Sequence, residues 1–159
     1  MKVALDTNVV HQALHNSAGA SHAILQMIRA GDVQMAISVP VFEEYRDVLH
    51  RPNTLQKMGR SREDMQKILD FIALVGVVAP IDCLWRPNLQ DEAGNKFVEL
   101  AVASGSEFLI TRNVRYTIDT EHTFDSFRIT TPSDFLKTWR KRHAKREEEH
   151  PDHTRPRGS

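Results

Sequence analysis

The chain has one cysteine, no net charge and no long apolar run, and each shortage narrows what it can be. A lone thiol, Cys83, cannot close an internal disulfide, which excludes a small disulfide-stapled secreted fold and fits a reducing compartment. Cys83 lies in Ala79-Pro80-Ile81-Asp82-Cys83-Leu84-Trp85, apolar company that suits a packed, inert thiol. Lysine plus arginine and aspartate plus glutamate both number 21, a formal charge of +0. No global field therefore draws the chain to a polyanion, which local cations or bound metal ions would have to attract. No apolar stretch approaches the roughly 20 residues that cross a bilayer, and Asp6 comes too early for the apolar core of a signal peptide. The expected setting is cytoplasmic, with no membrane partner. Neither a glycine-rich phosphate loop nor a nucleophile elbow is present.

What is present reads as one α/β domain. A chain of 159 residues, 40% of them hydrophobic, is long enough for a single core. Lys2–Leu5 predicts a first strand and Val33–Ser38 a second, with two helical stretches between, the clearer over Ser21–Ala30 and stopped by Gly31. Pro40 suits the first turn of a helix reaching about His50, where Pro52 blocks continuation. Ser61 caps a further helix in which Met65, Ile68, Leu69 and Ile72 recur at helical spacing, ended by Gly76. Val77–Ala79, Glu107–Ile110 and Phe127–Thr130 read as strands, and Asn95–Ser104 as a helix closed by Gly105. Pro132 opens a last helix carrying Phe135, Leu136 and Trp139. Beyond Lys141 large apolar residues cease, which predicts a domain over 1–140 and a charged, flexible tail over 141–159. Strands alternating with helices imply a mostly parallel sheet covered on both faces.

The acids then acquire positions. In such a sheet, ligands bind beyond the carboxyl ends of the strands. Asp6 directly follows the first predicted strand, and Thr111-Arg112-Asn113 directly follows the strand ending at Ile110. The position of Asp6 equally suits a helix N-cap. Glu44 stands three residues after Val41 and four before Val48, on the apolar face of its helix. A carboxylate there suits a metal ligand, an ion pair with an arginine such as Arg112 or Arg115, or a partly exposed edge position. Asp91 and Glu99 bracket the start of the helix beginning near Asn95: Asp91 suits a loop as well as a site, and Glu99 sits among Phe97, Val98, Leu100 and Ala101. Carboxylates converging from distant segments hold hard divalent cations through oxygen.

In order and spacing these segments resemble the PIN-domain family, in particular its branch of toxins from toxin–antitoxin pairs. Val3-Ala4-Leu5-Asp6-Thr7-Asn8 resembles the family's first motif, and Ile37-Ser38-Val39-Pro40-Val41-Phe42-Glu43-Glu44-Tyr45 its second. Asp91-Glu92-Ala93-Gly94-Asn95-Lys96-Phe97-Val98-Glu99 is similar to the third, and Leu109-Ile110-Thr111-Arg112-Asn113 to the fourth. Thr131-Pro132-Ser133-Asp134 looks like the closing strand-to-helix turn, so the likeness spans about residues 1–139. The resemblance implies a three-layer α/β/α sandwich and hydrolysis of RNA phosphodiesters by water activated at Mg²⁺ or Mn²⁺. It casts Asp6, Glu44, Asp91 and Glu99 as metal-site acids, with Asn113 in the catalytic pocket and Thr7, Asn8 and Thr111 in support. It implies a small antitoxin partner and a homodimer.

The chain departs from that pattern at Gly94, Asn113 and Arg115, each standing where the family usually has an acid. These losses define an alternative, a catalytically impaired PIN fold that binds RNA or protein. A haloacid-dehalogenase phosphatase also uses an aspartate after its first strand, but needs a second aspartate where this chain has Asn8. His11 and His15 stand four apart without a third ligand, which suits surface histidines better than zinc. The basic run from Lys137 to Arg146 suits either a phosphate contact or a cation-rich helix end.

Overall fold

In the computed structural model, residues 1–80, 92–113 and 126–149 are described, those at 92–95 by their backbone alone. Five strands form one parallel sheet: β1 (Lys2–Leu5), β2 (Gln34–Ile37), β3 (Val77–Val78), β4 (Phe108–Ile110) and β5 (Arg128–Thr130). Their spatial order is β3-β2-β1-β4-β5. Three consecutive residues are buried in each central strand: Val3, Ala4 and Leu5; Met35, Ala36 and Ile37; Phe108, Leu109 and Ile110. Successive strand residues point to opposite faces, so unbroken burial requires helices on both. The fold is the expected α/β arrangement around a parallel sheet.

Seven helices occur among the described residues: α1 (Thr7–His15), α2 (Ala20–Ala30), α3 (Val39–Leu49), α4 (Pro52–Met58), α5 (Arg62–Val75), α6 (Glu92–Ser104) and α7 (Pro132–Glu149). The hydroxyl of Ser38 accepts from the Val41 N–H at 3.4 Å and starts α3, which buries Val41, Tyr45 and Leu49 at intervals of four. The cap of α5 is reciprocal, Ser61 taking the Asp64 N–H at 3.1 Å and Asp64 taking the Ser61 N–H at 3.0 Å.

Two features differ from the sequence expectation. Pro52 does stop α3, but it also occupies the first position of a new helix, α4, where its missing N–H costs nothing. The last helix continues past Lys141 to Glu149. Arg142 explains much of this: it pairs with Glu107 and lays its guanidinium 5.5 Å from the centre of the Phe108 ring. His143 also stacks on Trp139 with ring centres 3.6 Å apart.

Gly76, expected only as a helix stop, is required by close packing. Its backbone is extended, and a Cβ there would lie 2.6 Å from Ile37 Cδ1 and 2.7 Å from the Ile72 carbonyl oxygen. Gly76→Ala should therefore lower stability by about 1–3 kcal/mol through overpacking, read as an earlier urea midpoint. An unchanged midpoint would mean that α5 and β2 yield without cost.

Candidate metal centre

The sheet reverses its winding beside β1: β2 and β3 extend to one side, while the chain returns to place β4 and β5 on the other. This is the switch point at which parallel sheets open a crevice. Asp6 follows β1 and Thr111 follows β4, and the two strands are held in register by Leu5 against Ile110. The Asp6 N–H donates to the Ile110 carbonyl at 2.9 Å, and the Thr111 N–H to the Thr130 carbonyl at 2.9 Å. Both residues are thus positioned by the ladder itself.

Asp6 occupies the N-cap position of α1, yet its side chain makes no capping hydrogen bond. Its Oδ2 instead accepts from the Thr111 hydroxyl at 2.7 Å and from Asn8 Nδ2 at 3.3 Å. The Thr111 oxygen in turn accepts the Asn113 N–H at 3.0 Å, and Asn8 Oδ1 accepts the Arg112 N–H at 3.1 Å. Two loops more than a hundred residues apart in sequence are laced together around one carboxylate.

Glu44 comes from α3. The Thr7 hydroxyl donates to its Oε2, and Lys96 Nζ lies 3.2 Å from its Oε1. The side chains of Lys96 and Glu44 are 30% and 21% exposed, so the pair is largely withdrawn from water. Beneath them Tyr45 is fully buried and donates its hydroxyl proton to the Leu5 carbonyl, fastening α3 to the end of β1. Burial raises the Tyr45 pKa well above 10.0, and the nearby charges of Asp6 and Glu44 raise it further.

Burial also raises the Asp6 pKa above 3.8. The Thr111 hydrogen bond opposes this, the negative charge of Glu44 adds to it, and the nearby backbone N–H groups of Thr7 and Asn8 partly offset it. Two carboxylates that feel each other's charge in a partly desolvated crevice make a site that favours a cation. The ligand atoms on offer are hard oxygens from carboxylates and hydroxyls. Oxygen donors of this kind suit a hard divalent cation and not a thiophilic metal.

The expected site residues fare differently. Asp6, Thr7, Asn8, Glu44 and Thr111 are brought together, and Asn113 joins them through its backbone N–H. Asp91, Gly94 and Arg115 lie outside the residues whose side chains are described. Glu99 is half-buried on α6, one turn beyond Lys96 and about 4.5 Å further along the helix axis. Among the described residues no hydrogen bond or ion pair joins it to Asp6 or Glu44, and no three histidine, cysteine or acidic side chains gather to hold a metal. Arg112, a foreseen partner for Glu44, instead donates to Gln12 at 2.8 Å. Lys96 was not singled out from the sequence. Its signal was its place near the N-terminal end of a helix, where a cation opposes the macrodipole unless an acid faces it.

The fold agrees with comparisons to known proteins. A family model for the PIN domain matches residues 2–115, and the chain belongs to the PIN-domain family. Among solved structures it is similar to a chain in the crystal structure of VapBC2 from Rickettsia felis bound to a DNA fragment from their promoter, with 15% identity and a TM-score of 0.55. That likeness covers 82% of this chain and 98% of the other. No curated protein matches the chain.

The raised Asp6 pKa has a definite sign in stability. Below 3.8 the carboxyl is protonated whether the chain is folded or not. As pH rises above that value the unfolded chain ionises first, so folding loses stability until the folded Asp6 ionises as well. In chelator-treated protein, Asp6→Asn should raise the melting temperature at pH 7, and that gain should vanish as pH falls below 3.8. Equal melting temperatures at pH 7 would mean that the buried charge carries no penalty.

Proposed function

We propose that this PIN-domain chain is a divalent-metal-dependent endoribonuclease, cytoplasmic, and the toxin half of a toxin–antitoxin pair. The observation that carries the reading is the convergence of Asp6 and Glu44 at the switch point, with Thr111 and Thr7 fixing one carboxylate each. Asp6 and Glu44 would hold one Mg²⁺ or Mn²⁺ ion, with Asp91 and Glu99 as further acids of the same site. Bound there, the cation would lower the pKa of a water and neutralise charge on a scissile phosphate. The chain's own part is orientation. Thr111 and Asn8 hold Oδ2 of Asp6 and leave Oδ1 outside those bonds, while Thr7 holds Oε2 of Glu44. The amide oxygen of Asn113 keeps a neutral ligand or water-positioning group where the family pattern has an acid.

The partner assignments rest on fold analogy. The Rickettsia felis structure has this fold and contains promoter DNA. We take a small antitoxin and a second copy of the chain as partners, and RNA as substrate. A second reading, a PIN fold that binds RNA or protein without cleaving it, draws on the Lys96–Glu44 pair, which already supplies a positive charge to the site.

The test is Mn²⁺ titration by calorimetry with RNA cleavage assayed on the same samples, for wild type and Asp6→Asn. Loss of a direct metal ligand should cost more than the roughly 10–100-fold typical of an outer partner, in affinity and in cleavage alike. Wild-type protein that neither binds Mn²⁺ nor cleaves RNA would count against the nuclease reading and favour the binding-only one.

A further inference from the structure

Among the described residues, Lys96 is the cation paired with a candidate metal ligand, and the proposed function does not use it. Its ammonium sits 3.2 Å from Glu44 Oε1, and Glu44 Oε2 accepts from Thr7, so both oxygens of Glu44 are occupied. The two restraints differ in stiffness. Thr7 is buried at the start of α1, whereas Lys96 reaches the site on a long, flexible side chain from α6. A cation approaching Glu44 would therefore displace the ammonium sooner than the hydroxyl. The pair is largely shielded from water, which makes it stronger than an exposed ion pair and costly to leave half-broken. The ammonium offsets the charge of one of the two carboxylates, that of Glu44.

We infer that Lys96 is a resident counter-cation of this site, competing with a divalent ion for Glu44 Oε1 and so setting the metal affinity below what Asp6 and Glu44 alone would give. The inference rests on the metal-dependent reading above. Lys96 occupies the charge that an approaching ion needs, and the ion binds at the cost of turning the ammonium out. The same residue keeps Glu44 paired when no ion is present.

The experiment is calorimetric titration of Mn²⁺ into chelator-treated full-length protein, with metal-free melting temperatures recorded alongside. The variants are Lys96→Met, Lys96→Gln, Lys96→Arg and Asp6→Asn. Removing the charge in Lys96→Met should tighten Mn²⁺ binding roughly tenfold, the size of an ordinary coupling between two ligands. Lys96→Gln, which can still donate to Glu44, should tighten it less and guards against a Met variant that fails to fold. Lys96→Arg should bind like wild type. A merely structural strap would lower the melting temperature of Lys96→Met without tightening Mn²⁺. Affinity that is unchanged or weaker in Lys96→Met and Lys96→Gln, while Asp6→Asn abolishes wild-type binding, would overturn the inference and leave the metal site standing. Binding that emerges only once Lys96 is neutralised would support it. No binding in any variant would overturn both.

Discussion

The pairing of β1 with β4 is the constraint on which the site depends. These strands are adjacent in the sheet although Leu5 and Ile110 are far apart in sequence. Because they run parallel, both release their chains at the same edge, and the residues that follow, Asp6 and Thr111, meet there. Their contact, a hydroxyl on a carboxylate at 2.7 Å, is a by-product of strand register as much as of side-chain choice. A shift of one residue in that register would turn every side chain of the strand to the other face and separate the two. The stability of the central sheet and the geometry of the candidate metal centre are consequently one property.

The crevice so formed is electrostatically unfavourable by itself. Asp6 is partly buried and feels the charge of Glu44, and both raise its pKa. Each compensating contact is local and identifiable: Thr111 and Asn8 on Asp6, Thr7 and Lys96 on Glu44. Tyr45 anchors the floor by bonding the last carbonyl of β1. A group of like charges held by fixed donors on rigid elements is what a cation site requires, since the donors are oriented before the ion arrives. The same arrangement explains why Lys96 belongs to the site and not to the surface.

Much of this was legible in the residues. The five strands were indicated by short apolar runs, and Gly31, Gly76 and Gly105 do follow their helices. Asp6 and Glu44 were recognisable because one follows a strand and the other interrupts an apolar helical face, and the family resemblance put them in one site. Position alone could not say whether Asp6 caps α1 or serves the crevice, since that depends on where Thr111 lands after the chain has crossed the sheet. Helix α4 was hidden because Pro52 was read for what it ends and not for what it begins. The length of α7 was hidden because its anchors, Glu107 and Phe108, belong to another element. Lys96 escaped for a similar reason: its partner is fifty-two residues away, on a helix whose packing against α6 no local pattern reveals.

Membership of the PIN-domain family accounts for the fold, while the chain's own residues must account for what the site does. The central claim is that Asp6 and Glu44 act as one cation site. A double-mutant cycle on Mn²⁺ affinity tests it most directly, using Asp6→Asn, Glu44→Gln and the double variant. If the two carboxylates share an ion, each single change should remove most of the affinity and the double should be little worse than either. Losses that simply add, or affinity that survives in either single variant, would contradict the account.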